Sequence, residues 1–245
     1  MEFSAASDPG RVRSHNEDSF ALVPFSSGVL LAVADGVSGS QAGEVASAIA
    51  TRTFRECLEP HQREAPETGP LRDALEAANE RILTARQEST RQAGMGTTMT
   101  CAWLSEQRLA FAHVGDSRLY LLRRGELTCV THDHSVAQEL MRQGTIPPSE
   151  AERHPQKHVL TRWLGFEPFA CDEGTLELEP GDVVLLCTDG LVSAITEAEV
   201  AREMRDGFAG VALRLVEAAN RAGGPDNITV VAARTAPLDE RGEQQ

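Results

Sequence analysis

Apolar positions along the chain fall into two kinds of run. The first is short and unbroken: residues 29–34 are apolar throughout and end on Asp35-Gly36, and 183–187 repeat the design before Thr188-Asp189-Gly190. Runs this short and apolar predict strands buried on both faces. The second kind recurs at three- and four-residue steps. Ala42, Val45, Ala46, Ile49, Ala50, Thr53, Phe54, Cys57 and Leu58 predict an amphipathic helix over about 40–58. Leu71, Ala74, Leu75, Ala78 and Ile82 predict a second, with Pro70 in its first turn. Asp-Gly is also a strong hairpin signal, but a hairpin needs a strand immediately after it. The helix that follows Asp35-Gly36 excludes that reading.

Weaker patterns fill in the rest. Strands are expected at 3–7, 19–24, 97–104, 108–114, 118–123, 126–131, around 171–178 and at 228–233. The close spacing from 97 to 131, with turns such as Arg124-Gly125, predicts an antiparallel meander. Ser135-Val136-Ala137-Gln138 and Thr196-Glu197-Ala198-Glu199 fit capping boxes, opening a short helix to about Gln143 and a helix over about 197–205. Another helix is expected over 210–222. Residues 144–158, rich in Pro, Glu and His, predict an irregular flap. With no linker and no repeat, the pattern predicts one α+β domain over 1–236, helices packed outside sheets, and a frayed polar tail over 237–245.

Composition narrows the function classes. Acids outnumber bases 37 to 23 in 245 residues, a net charge of −14, which disfavours nucleic acid and anionic membranes as partners. Aromatics make up only 4%, so aliphatic and alanine packing must build the core. The five cysteines are widely spaced without a C-x-x-C pair and predict core thiols in a reducing compartment. The N-terminus shows no basic-then-apolar leader, and the expectation is a cytoplasmic monomer.

Four acids share a placement. Asp35 and Asp189 end strands, Asp116 follows the strand that ends at Val114, and Asp226 precedes the last strand. Each could simply cap a turn. Converged, two such charges ~4 Å apart would repel by about 4 kcal/mol at an effective dielectric of 20, so protons or cations would have to neutralise them. Oxygen donors without neighbouring His or Cys favour Mg²⁺ or Mn²⁺ over Zn²⁺.

Six motifs then occur in order: Arg13-Ser14-His15-Asn16-Glu17-Asp18, Ala34-Asp35-Gly36, Gly94-Met95-Gly96-Thr97-Thr98, Val114-Gly115-Asp116-Ser117-Arg118, Thr188-Asp189-Gly190-Leu191 and Pro225-Asp226-Asn227-Ile228-Thr229. Together they resemble the metal-dependent protein phosphatase 2C (PPM) family in its compact bacterial form, over nearly the whole chain. The resemblance implies a four-layer α-β-β-α sandwich of two antiparallel sheets. It implies that Asp35 bridges two Mn²⁺ or Mg²⁺ ions, with Asp189 and Asp226 completing one site and the Gly36 carbonyl the other. It implies that Glu17 and Asp18 hold metal-bound waters and that Arg13 grips the substrate phosphate. The implied reaction is hydrolysis of phosphoserine or phosphothreonine proteins by a metal-bridging water, without a covalent intermediate, opposing a bacterial serine/threonine kinase.

Two positions depart from the family pattern. Val37 stands where many members carry a histidine that protonates the leaving group. The general acid is thus unassigned, with metal-bound water the default and His15, His132 or His134 the alternatives. Ser193 stands where an aspartate usually helps hold a third ion, so a third ion is expected to bind weakly, through Asp116 and Asp189 only. Two rival readings remain. His132-Asp133 resembles the metal pair of the helical HD hydrolases, which the many strands argue against. A non-catalytic phosphoprotein-binding module would be expected to lack metal carboxylates, and Asp35, Asp189 and Asp226 are all present.

Overall fold

The structure is a computed structural model that describes residues 1–26, 28–37, 42–61, 64–88, 90–151 and 153–237. Its strands are β1 (Glu2–Asp8), β2 (Ser19–Phe25), β3 (Gly28–Ala34), β4 (Met99–Leu104), β5 (Arg108–Val114), β6 (Arg118–Arg123), β7 (Glu126–Cys129), β8 (Asp172–Glu177), β9 (Val183–Cys187) and β10 (Ile228–Arg234). The helices are α1 (Gly43–Leu58), α2 (Thr68–Glu88), α3 (Val136–Arg142), α4 (Pro148–Ala151), α5 (Asp189–Ala194), α6 (Glu197–Arg205) and α7 (Val211–Arg221). One sheet runs β1-β10-β9-β6-β7 and the other β2-β3-β4-β5-β8, and every pairing is antiparallel.

Three apolar layers explain the unbroken runs. In β3, Leu30, Ala32 and Ala34 pack with Ala46, Ala50 and Phe54 of α1 and Leu71, Leu75 and Ile82 of α2. Val29, Leu31 and Val33 face the other way and meet Val184 and Leu186 of β9 and Val231 and Ala233 of β10. Val183, Leu185 and Cys187 then face Leu191 of α5, Val200 of α6 and Leu215 of α7. Alternate side chains of a strand point to opposite faces, so a strand covered on both sides must be apolar at every position. The result is the expected α+β, α-β-β-α sandwich.

The expected meander breaks at one place. β4 and β5 pair in one sheet, whereas β6 pairs with β7 and β9 in the other. The chain changes sheets at Gly115-Asp116-Ser117. Gly115 has φ +109°, and a Cβ there would fall 2.4 Å from Cβ of Thr98, so a side chain is excluded on two counts. Two other expectations shift. Thr196 and Glu199 form a full reciprocal capping box, but at Ser135 only the side chain's acceptance from the Gln138 N–H is present. The irregular flap contains the short α4. The tail beyond Pro237, and the first residues of the helix expected from about 40, lie outside the described residues. Among the described residues, no helix is long and apolar enough to cross a membrane.

Candidate metal centre

The ends of β3 and β9, the β5–β6 crossing and the start of β10 meet at one edge of the sandwich. There Arg13, Asp35, Gly36, Asp116, Asp189 and Asp226 line a single cavity of ≈ 550 Å³. Backbone and hydroxyl hydrogen bonds set each acid. The Asp35 N–H donates to Thr98 Oγ1 (3.1 Å), while the Asp35 carbonyl accepts from the Thr98 N–H (2.9 Å) and from Thr97 Oγ1 (2.7 Å). Thr98 Oγ1 lies 2.8 Å from Ser117 Oγ, beside Asp116. The Gly-Met-Gly-Thr-Thr motif therefore braces Asp35 and the Asp116 turn together.

Asn227 performs the same task for the N-terminal loop. Its Nδ2 donates to the carbonyls of Pro9 (3.0 Å) and His15 (2.8 Å), and its Oδ1 accepts from the Glu17 N–H (2.8 Å). That ties Arg13 and Glu17 to Asp226, and Arg13 Nη2 reaches Asp226 Oδ2 at 2.9 Å. On the β9 side, Gly190 lies so close to β10 that a Cβ would come 1.9 Å from the Asn227 carbonyl oxygen. Glycine is needed there to bring Asp189 against Asp226.

Not every expected residue faces the cavity. Glu17 is not on its lining, and its carboxylate lies against Gly43 of α1. Asp18 is also off the lining. Its Oδ2 accepts from Thr188 Oγ1 (2.9 Å), and its Oδ1 is buried without a protein partner. His15, His132 and His134 are absent from the lining as well. The buried His134 accepts the Gly115 N–H at Nδ1 (3.1 Å), and its Nε2 lies 3.2 Å from Asp172, so it clamps the Asp116 turn. Asp133, half of the HD-like pair, is held by Arg118 through two bonds of 2.9 and 2.8 Å.

One histidine was not foreseen. His158, at the end of the flap, lines the cavity, with Nδ1 3.6 Å from Asp189 Oδ2. Ligand atoms of Asp116, His158 and Asp189 all lie within 4.8 Å of one another. Ser193, also on the lining, donates to the Gly190 carbonyl (3.3 Å).

The electrostatics are those of an unneutralised acid cluster. Burial, then the charges of Asp18, Asp189, Asp116 and Asp226, push the Asp35 carboxyl well above the usual carboxylate range. Burial, with Asp189 and Asp133, does the same to Asp116. Asp18 is pushed up to about 7, chiefly by burial, against hydrogen bonds from Thr229 and Thr188 that hold it down. Closely set carboxylates of this kind call for cations. Apart from His158 the donors are oxygens, which suits hard ions such as Mg²⁺ and Mn²⁺. The orphaned Asp18 Oδ1 fits a water in the shell of such an ion. No thiol competes for the chemistry. All five cysteines are free, and burial raises each of them, Cys171 to about 11, so none offers a ready thiolate.

Comparison with known proteins identifies the family. Residues 11–222 match the profile of the family described as protein phosphatase 2C. The chain belongs to that family. It is 38% identical over 240 residues to the serine/threonine protein phosphatase PstP of Mycobacterium tuberculosis, covering 98% of this chain and 46% of that protein. The chain thus spans about half the length of the mycobacterial relatives it matches. It is 35% identical over 239 residues to the serine/threonine phosphatase stp of Listeria welshimeri, with 94% of each chain covered. Among solved structures, the catalytic domain of PstP in complex with two manganese ions superposes with a TM-score of 0.82 at 36% identity, covering 96% of this chain and 98% of that one.

Proposed function

We propose that this protein hydrolyses phosphoserine and phosphothreonine monoesters in proteins, using Mn²⁺ or Mg²⁺ held at the acid-lined cavity. The observation that carries the reading is the convergence of Asp35, Asp116, Asp189 and Asp226 on one cavity whose rim presents Arg13. In this reading Asp35 would be shared between two ions, with Asp189 and Asp226 as further ligands for one and the Gly36 carbonyl for the other. Asp18, through its unpartnered Oδ1, and Glu17, set back from the lining beside Gly43, would reach the ions only through waters of their shell. Bound ions would supply Lewis-acid charge and acidify a water beside the phosphorus. Arg13 would bind two phosphate oxygens through its planar fork, where lysine would offer only a point charge. With the carboxylates engaged by metal, a water rather than a side chain would attack phosphorus, so the reading has no covalent intermediate.

The relatives' names support serine and threonine specificity, and a bacterial serine/threonine kinase is the natural opponent. Unpaired thiols and the acidic surface go with a cytoplasmic monomer that avoids nucleic acid and lipid. The direct test is Mn²⁺-dependent hydrolysis of a phosphothreonine peptide, with Asp35→Asn and Asp189→Asn as controls. Turnover that survives chelation of metal, or a wild type without turnover, would sink the reading.

A third ion would bind weakly through Asp116 and Asp189, and His158 changes the expected donor set. Its Nδ1 lies 3.6 Å from Asp189, and it shares the cavity lining with Ser193. Titration with Mn²⁺, followed calorimetrically, should show Ser193→Asp tightening the weakest site by about tenfold, the worth of roughly 1.4 kcal/mol of added attraction. His158→Ala should loosen the same site. Identical isotherms for the three proteins would count against a third ion there.

A further inference from the structure

The acids occupy only part of the cavity wall. Val37, Leu160, Trp163 and Pro225 line it as well. A volume of ≈ 550 Å³ lies in the range of pockets that enclose whole small molecules, about 300–1,000 Å³. That is more room than a phosphate group and its ester oxygen require.

The apolar part of the wall is fixed to the same backbone that carries Asp35. The Val37 N–H donates to the Gly96 carbonyl at 2.9 Å. One residue on, Thr97 and Leu164 exchange both backbone hydrogen bonds, at 3.1 and 2.8 Å. Trp163 is thereby laid across Gly96, where a Cβ would fall 2.6 Å from the indole Cδ1. The indole also packs against the Phe166 ring, at a centroid distance of 4.6 Å. Leu164 is fully buried in the core next to it. Trp163 itself is only partly buried, and part of it lines the cavity. A large aromatic surface held this firmly, and left open, is a binding platform rather than core filling.

We propose that Trp163, with Val37 and Leu160, forms a subsite for a bulky apolar side chain of the substrate protein, within two residues of the phosphorylated one. The proposal rests on the phosphatase reading above. An extended peptide advances about 3.3–3.6 Å per residue, so a phosphate at the acid end of this cavity places its near neighbours against the indole. The net charge of −14 would by itself favour a basic neighbour, with the indole offering a cation–π contact. The wall residues decide against it. Val37, Leu160 and Pro225 bring no carboxylate to this side, and the cavity's acids are those assigned to metal. Burying a leucine-sized side chain here is expected to raise kcat/KM about 10- to 50-fold over serine at the same position.

The test uses the full chain with Mn²⁺ and phosphothreonine peptides carrying leucine, serine or arginine at each of the two positions on either side. Wild type should prefer leucine over serine about tenfold or more at one position at least, mainly through KM. Trp163→Ala should bring that ratio close to one, and Trp163→Phe should keep most of it. Because the ratio compares two substrates on one preparation, a partly unfolded variant cannot mimic the loss. Leucine and serine peptides turned over alike by wild type, a ratio unchanged in Trp163→Ala, or a Trp163-dependent preference for arginine would each overturn the apolar subsite. In all three cases turnover of the peptides would leave the phosphatase reading standing. Failure of wild type on every peptide and on p-nitrophenyl phosphate would remove both.

Discussion

Asp35→Asn should abolish Mn²⁺-dependent turnover and, in the metal-free protein, raise the melting temperature. The two effects share a cause. Asp35 sits among Asp18, Asp116, Asp189 and Asp226, with burial and their charges all opposing its ionisation. That arrangement serves a cation and destabilises the fold without one. Asparagine keeps the shape and removes the charge, so activity should fall by about 1000-fold or more, the scale of several kcal/mol of lost metal chemistry. For stability, the folded metal-free protein holds a proton on Asp35 that the unfolded chain releases near pH 4. The stability tied to that proton is fully present below this pH and is lost as pH rises towards the folded value. Each such proton changes stability by about 1.4 kcal/mol per pH unit, and Asp18, raised to about 7, acts in the same direction between roughly pH 4 and 7. The asparagine amide cannot titrate. The variant's lead in melting temperature should therefore widen from pH 5 to pH 8, at about 2–4 °C per kcal/mol for a chain of this size. Added Mn²⁺ should stabilise wild type and close or reverse the gap. Calorimetry in chelator at both pH values decides it, and a variant that melts below wild type at pH 8 would show that the acid cluster is not strained.

What the chain discloses in advance follows the range of the interactions involved. β3 and β9 are legible because burial on both faces leaves no room for polar residues in 29–34 or 183–187. The acids at their ends are legible because they follow those runs directly, and the ordered motifs supply their grouping. Sheet membership is not legible. A short turn at Gly115-Ser117 reads alike whether β5 and β6 pair or part, and only the pairing of β5 with β4 and β8, and of β6 with β7 and β9, shows that they part. α5 is missed for a different reason: Asp189–Ala194 is too short to show a period and has glycine at its second position. His158 and Trp163 are placed by tertiary bonds, Val136 to Val159 and Thr97 to Leu164, across stretches with no periodicity to announce them. Thr98, Thr188 and Asn227 stand in recognisable motifs, yet their bracing roles appear only once strands from both sheets converge.

Arg13→Ala should move two affinities in opposite directions. The guanidinium lies 2.9 Å from Asp226 and is half-exposed at the cavity rim, so it can hold a phosphate or hold the acid. If its task is the phosphate, its loss should cost about 100-fold in kcat/KM, the worth of one bidentate, charge-assisted contact of roughly 2–3 kcal/mol, with most of the change in KM. Arg13→Lys should recover only part, because an ammonium cannot match two oxygens at once. Mn²⁺ affinity should meanwhile rise, since removing a cation from Asp226 leaves more negative charge for the metal. A purely structural arginine predicts the reverse, for Asp226 would then lose its anchor and bind metal less well. Isothermal titration of Mn²⁺ into wild type and Arg13→Ala, alongside the kinetics, separates the two. Weaker metal binding together with unchanged KM would assign Arg13 to Asp226 and leave the phosphate to the metal ions alone.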